Sequence, residues 1–345
     1  MRLLIITQKV DLNDPAMGFF HRWLEYFAAA FEGLVVICLE EGAHRLPRNV
    51  RVFSLGKEGG RSRLKYVRRF FKYLRLYRDE YDAVFVHMTP VYVLLGFWQW
   101  RRFGKKVTLW HNHRQGGLQA RLGMYLAEKV FYTSPQAYAA RYPRAREMPV
   151  GVDTGMFTPP AAGERRKNSL LSLGRIAPVK RLETLIDAMA ILAKEKPDAT
   201  LAVVGSPAAA KDIEYERMLN ERAKFLVAKG NVVFSPGVPY AETPEWYRSR
   251  EVFVNLTPSG SFDKTILEAM ACGTLPVAAN EALAGVLPAE CLVRDDDPRL
   301  LAQALRRVLD MPEAKRSEYG AALREYVLAN HGMERLVAEL KRAFA

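Results

Sequence analysis

Cysteine is nearly absent from this sequence: Cys38, Cys272 and Cys291 are the three in 345 residues. So few and so scattered, they exclude a disulfide framework, and each reads as a small buried apolar residue in a reducing compartment. Long apolar runs are missing too. The run at 3–7 is cut off by Gln8 and Lys9, too soon for a leader, and 91–100 is too short to span a bilayer. No internal repeat or low-complexity tract interrupts the chain. His111 and His113 stand at i and i+2, but no third ligand accompanies them, so no metal site is expected. Acidic residues are outnumbered, 38 Asp and Glu against 51 Lys and Arg. The formal net charge is +13, which calls for anionic partners such as phosphates, nucleic acid or an anionic membrane surface.

What is present is a regular alternation. Short apolar runs at 3–6, 34–39, 50–55, 83–87, 106–110 and 129–133 read as buried strands, with helical patterns at 19–31 and 91–100 and a helix expected to start at Ser134-Pro135. A stretch rich in Pro, Ala, Gly and charge follows at 154–167, and it reads as a linker. The alternation then restarts. Strands are expected at 169–173, 199–204, 232–234, 252–256, 275–278 and 290–293, and helices at 182–194, 213–229, 243–249, 264–272, 298–309, 313–330 and 333–344. Asp295-Asp296-Asp297 has the look of a metal motif, but Asp297 before Pro298 is more simply a helix cap. Strands joined by helical crossovers make parallel sheets covered on both faces. The fold class is therefore α/β: two doubly wound parallel-sheet domains, 1–153 and 168–328, facing a central cleft, with a helix at 329–345 crossing back to the first domain.

Residues 61–78 hold eight basic side chains and no acidic one, interleaved with aromatics. Leu64, Val67, Phe71 and Leu74 fall at helical spacing and are expected to pack inward. Arg61, Arg63, Lys65, Arg68, Arg69 and Lys72 then face out. That face is either a solvated crossover helix or a helix lying on an anionic membrane, and a nucleic-acid groove would look the same from charge alone.

The chemistry concentrates in two places. At 258–279 a strand runs through Pro258, Ser259, Gly260 and Ser261 into a short helix with Glu268 one turn inside. A helix start offers free amides and the positive end of a dipole to a phosphate, and a carboxylate one turn on can accept from two ribose hydroxyls. An ordinary strand–loop–helix with a solvated Glu268 fits the pattern equally. At 174–180 a second loop leaves a strand: Gly174 allows the turn, Arg175 can fork onto two phosphate oxygens, and Lys180 adds a point charge. Alone, these are a pair of surface cations; with the Glu268 helix they suggest a nucleoside diphosphate. His111, just past a strand, is either a site residue or a polar strand cap.

Gly174-Arg175 with Lys180, Gly205 after its strand, Pro258-Ser259 and the run Leu267-Glu268-Ala269-Met270-Ala271-Cys272-Gly273 to Pro276-Val277 together resemble the retaining glycosyltransferases of family 4, with a GT-B fold. The resemblance covers roughly 148–330. It implies a nucleotide-sugar donor held mostly by the second domain. Gly174, Arg175, Lys180 and Gly205 would serve the diphosphate and Glu268 the ribose, with Ser261, Phe262, Asp263, Lys264 and Thr265 around the donor. The turn at Gly18 would approach the phosphates from the first domain. His111, Arg175 and Lys180 would carry the reaction, with no metal and no cofactor required. One departure stands out. The family has a Glu eight residues before Glu268, and here that position is Gly260, so Asp263 or Lys264 is expected to take over part of the sugar contact.

The expected function is thus a cytoplasmic, peripherally membrane-bound hexosyltransferase. It would move sugar from a UDP-sugar or GDP-sugar to a lipid-linked, lipopolysaccharide or exopolysaccharide acceptor. A basic nucleotide- or nucleic-acid-binding protein without transferase activity, or a sugar-nucleotide epimerase of the same fold, are the alternatives.

Overall fold

The computed structural model describes residues 1–161, 163–258, 263–293 and 296–344. The chain divides into two compact units, Met1–Gly151 with Met333–Ala345, and Val152–Gly332.

Among the described residues, the first unit carries a seven-stranded parallel sheet in the order β3-β2-β1-β4-β5-β6-β7. Its strands are β1 (Arg2–Val10), β2 (Gly33–Glu41), β3 (Val50–Ser54), β4 (Ala83–His87), β5 (Lys106–Trp110), β6 (Lys129–Tyr132) and β7 (Ala145–Glu147). Alternation along β1 sends side chains to opposite faces. Leu3 and Ile5 pack under α1 (Gly18–Ala30) and α11 (Met333–Phe344). Leu4 and Ile6 pack under α2 (Arg63–Leu76), α3 (Pro90–Arg102) and α4 (Leu118–Leu126). Helix α11 is fixed by chemistry as well as packing. Lys106 and Lys129 donate to the carbonyls of Phe344 and Ala343 at its carboxyl end, and Arg146 pairs with Glu339.

The second unit holds a five-stranded parallel sheet, β10-β9-β8-β11-β12. Its strands are β8 (Arg166–Leu173), β9 (Thr200–Val204), β10 (Val232–Ser235), β11 (Arg250–Asn255) and β12 (Leu275–Ala278), with helices α5 (Leu182–Glu195), α6 (Ala210–Ala228), α7 (Thr243–Arg248), α8 (Lys264–Ala271), α9 (Pro298–Leu309) and α10 (Glu313–His331). Residues 154–167 are fastened within this unit. Arg324 donates to the carbonyls of Thr154 and Phe157, and Arg165 to those of Arg250 and Cys272.

Four local expectations are corrected. Ser134-Pro135 starts no α-helix; a 3-10 turn follows at Tyr138–Arg141. Residues 290–293 are no strand: a 3-10 turn, Ala289–Cys291, leads into one isolated bridge between Leu292 and Ala278. Helix α4, opened by Gly117 without a side-chain cap, was not foreseen. On α2 the inward residues are Phe70 and Leu74, while Leu64 and Phe71 point to solvent. Asp297 does cap α9, accepting from the Arg299 amide.

Candidate active site

The second unit gathers its polar loops at the carboxyl ends of β8, β9 and β11, where open parallel sheets collect ligands. After β8 the chain turns at Gly174, whose φ of 138° lies in the region that favours glycine. After β9 comes Gly205. A Cβ at Gly205 would lie 1.9 Å from the Gly174 carbonyl oxygen, so the two turns are in direct backbone contact. The loops extend the sheet in register: Gly174 donates to Val204, Ile176 to Ser206, and Gly205 to Ser235. Gly205→Ala must push the β8 loop away from its seat. We expect it to weaken nucleotide binding at least tenfold and to lower the unfolding midpoint, as read by titration calorimetry and thermal melts. Wild-type affinity in that variant would show that the two-glycine contact does not set the loop.

Arg175 projects from this turn, exposed, with no ion-pair partner among the described residues. Lys180 lies over Gly174 and pairs with Asp263. Asp263 is a hub. It caps α8, accepts from Thr265 Oγ1 at 2.8 Å, and accepts from Asn255 Nδ2 at 2.8 Å and Thr257 Oγ1 at 3.3 Å. Burial pushes its carboxyl up, but Lys180 and these donors outweigh burial and hold it well below the usual carboxylate range. Asp263 and Thr265 are therefore tied to each other and to Lys180, rather than left open for a sugar.

Glu268 sits one turn further along α8, 3% exposed. It is not solvated. Its two oxygens accept from the Tyr240 hydroxyl at 3.0 Å and the Tyr247 hydroxyl at 3.1 Å. Lys264, one turn back on the same helix face, interacts electrostatically with Glu268 and with buried Asp153. Burial pulls the Lys264 ammonium down to about 7 against the pull of those two carboxylates, and burial likewise raises Glu268. A carboxylate can accept about four hydrogen bonds, so the tyrosines leave Glu268 acceptor capacity while fixing its orientation. Ser261 and Phe262, with Gly260, lie outside the described residues. Tyr240, Tyr247, Asn255, Thr257 and Asp153 were not anticipated. The only signal for them was polar residues directly after a strand, as in Asn255-Leu256-Thr257.

In the first unit, His87, His111 and Thr133 lie buried at or just past the carboxyl ends of β4, β5 and β6, and Thr7 is buried within β1, three residues before its end. Thr7 Oγ1 lies 3.3 Å from His87 Nδ1, and the His111 amide donates to Phe131. His111 is 4% exposed, and its Nδ1, like Thr133 Oγ1, has no hydrogen-bond partner among the described residues. Burial, reinforced by His113, pulls the His111 imidazole down to about 4, so it is neutral at physiological pH. Gly18 opens α1, but the Ala16 and Met17 amides beside it are held by the Asp14 carboxylate, which also pairs with Lys9 at 2.7 Å. A phosphate at that turn would have to displace Asp14. The described residues contain no group of three or more His, Cys, Asp or Glu that could hold a metal ion.

The sequence family described as glycosyl transferases group 1 matches residues 159–325. A D-inositol 3-phosphate glycosyltransferase of Acidothermus cellulolyticus is 33% identical over 191 residues, which cover 50% of this chain and 42% of that protein. The chain spans about half the length of the relatives it matches in sequence. Among solved structures, Anabaena Alr3699/HepE in complex with UDP and glucose superposes with a TM-score of 0.79 at 16% identity, covering 99% of each chain. The sucrose-phosphate synthase of Thermosynechococcus elongatus superposes with a TM-score of 0.79 at 21% identity, covering 100% of this chain and 98% of that one. Residues 159–325 are thus similar to the group 1 glycosyl transferases, and along its length the chain has the GT-B fold of two Rossmann-like parallel-sheet domains.

Proposed function

We propose that this chain transfers a sugar from a nucleoside diphosphate sugar to a glycan or lipid-linked acceptor, with the donor's nucleotide held by the second unit. The observation that carries this is the Gly174–Gly205 backbone contact, next to Arg175, which has no ion-pair partner among the described residues, and to a Lys180 fixed by Asp263. As the anomeric carbon leaves the diphosphate, negative charge builds on the phosphate oxygens. Fixed cations already aimed at that position lower the barrier without having to reorganise. Glu268, oriented by Tyr240 and Tyr247, takes the ribose. Lys264 takes over part of the sugar contact that the family's usual Glu, here Gly260, would make. His111, in the first unit, is a neutral imidazole rather than a cation at working pH. Retention of the anomeric configuration is implied by the family resemblance. Metal independence rests on the two cations taking the role a divalent ion would otherwise fill.

The Anabaena neighbour's complex with UDP and glucose supports UDP as the first nucleotide to test. The acceptor is tested against two classes: lipid-linked glycan, and the inositol 3-phosphate named for the Acidothermus relative. Thermal melts with UDP-, GDP- and ADP-sugars are expected to single out one base. At a hundredfold excess over its dissociation constant that ligand should stabilise the protein by about 2.7 kcal/mol. Labelled sugar should then move to a lipid extract and not to inositol phosphate. No stabilisation by any nucleotide would overturn the donor reading, and transfer to the polyol would overturn the acceptor reading.

A further inference from the structure

The three helices that cover one face of the first unit's sheet contain no acidic residue. Helix α2 reads RLKYVRRFFKYLRL, α3 PVYVLLGFWQWRR and α4 LQARLGMYL. The helices on the opposite face do carry acids, Glu25 in α1 and Glu334 and Glu339 in α11. A second observation falls on the same face. Every exposed large hydrophobic side chain among the described residues of the first unit belongs to α2, α3 or α4, or immediately follows α3. Leu64 is 70% exposed, Trp98 77% and Tyr125 71%. Phe71, Phe103 and Leu122 add to them.

The three helices are neighbours. Arg68, Phe71 and Lys72 of α2 line one groove with Trp98, Arg102 and Phe103. Pro90 of α3 meets α4 so closely that a Cβ at Gly123 would lie 2.9 Å from it. Lys65 and Arg69 lean inward over the turn at Gly56, with Arg69 reaching the Ser54 carbonyl. The outward cations are instead Arg63, Arg68, Lys72, Arg75, Arg102 and Arg121. Of the acids at the rim, Glu58 is engaged with Ser54, Asp79 with Arg78, Glu80 with Arg51 and Asp82 with Arg2, while Glu128, exposed just past α4, has no ion-pair partner among the described residues.

We propose that this three-helix face seats the first unit on an anionic lipid bilayer. The charge would match any polyanion, but the aliphatic members decide between them. Leu64, Leu76, Leu118 and Leu122 offer nothing to a phosphate backbone or a solvated acidic peptide, whereas they enter the acyl boundary of a membrane while Lys and Arg stay among the headgroups. Trp98 and Tyr125 are amphipathic rings of the kind that settle at that boundary. No described helix is long and apolar enough to cross a membrane, and this face needs none, because it lies on the surface. The inference does not depend on the sugar chemistry and is read without substrate.

The test uses the whole chain, sedimented with phosphatidylcholine vesicles that contain or lack phosphatidylglycerol, at low and high salt. Binding is expected only with the anionic lipid. Each removed cation should weaken it roughly fivefold, so R68Q/K72Q/R75Q should lose on the order of a hundredfold. W98S/Y125S, which leaves the charge intact, should lose at least tenfold. All five positions are exposed, and unchanged melting temperatures would show that both variants are folded. Two results would overturn the proposal. One is wild-type protein that ignores phosphatidylglycerol vesicles. The other is anionic binding that W98S/Y125S leaves untouched and that duplex DNA or heparin reproduces, since the face would then be a polyanion surface.

Discussion

Arg175→Ala is expected to lower turnover with the preferred nucleotide sugar by two to three orders of magnitude while leaving the unfolding midpoint where it was. The two halves of that result have separate causes. Arg175 is exposed and pairs with no described residue, so its loss removes no native contact and costs almost no stability. A fixed cation facing charge that develops in the transition state contributes about a hundred- to a thousandfold in rate. Lys180→Ala should behave differently. It removes a comparable catalytic contribution, but it also takes the counter-charge from the Asp263 carboxylate, which is mostly buried and keeps only neutral donors among the described side chains. Breaking such a pair costs on the order of 3 kcal/mol. The double variant Lys180→Ala/Asp263→Asn should recover most of the stability and none of the activity. Steady-state rates and urea unfolding on the same preparations read both quantities. Near-normal turnover in Arg175→Ala and in the double variant would remove the assignment of these cations to the diphosphate.

Glu268→Leu carries the largest expected loss of stability in the second unit. Its carboxylate takes hydrogen bonds from two buried tyrosines and faces Lys264. With Leu in its place, two hydroxyls lose their acceptor and Lys264 loses the larger of the two carboxylate attractions that hold its charge, those of Glu268 and Asp153. An uncompensated buried charge together with unsatisfied donors costs about 3–5 kcal/mol. Glu268→Gln keeps the shape and one acceptor oxygen, so it should lose less, about 1–2 kcal/mol. Both variants should lose nucleotide affinity, because neither offers two acceptor oxygens to a ribose. Urea unfolding and calorimetric titration with the nucleotide separate the two effects. A Glu268→Leu protein as stable as wild type would show that the tyrosine hydroxyls find other partners.

Much of this architecture is legible in the sequence where one local signal settles the matter. Strands β4, β5 and β12 are short apolar runs bounded by polar or small residues, and α9 begins at an Asp-Pro pair that caps and opens a helix in one step. The signal fails where tertiary context decides. β7 is three residues with no buried side chain, so no apolar run marks it. α4 has Gly123 in its interior, required by the approach of Pro90 and unfavourable by propensity. On α2, Phe70 and Phe71 are adjacent, and periodicity cannot tell which of two neighbouring aromatics the sheet accepts. At the site, Gly174, Arg175 and Lys180 could be read because they follow one strand within seven residues. The tyrosines on Glu268 could not. They stand 28 and 21 residues before it, on separate elements, and only folding brings their hydroxyls to the two carboxylate oxygens.

The division of the chain also bears on how it folds during synthesis. Helix α11 belongs to the first unit, yet the ribosome makes it only after the whole second unit. Leu336, Leu340 and Phe344 are part of the cluster that includes Phe27, Phe31 and Leu34. Until α11 is made, those three stay partly uncovered, however early β1 to β7 have formed. The second unit suffers no such delay, since its closing contact, the Val152 amide on the His331 carbonyl, lies at its own two ends. The later-made unit can thus complete itself before the earlier one, and the nascent first unit is the part that a chaperone has to shield.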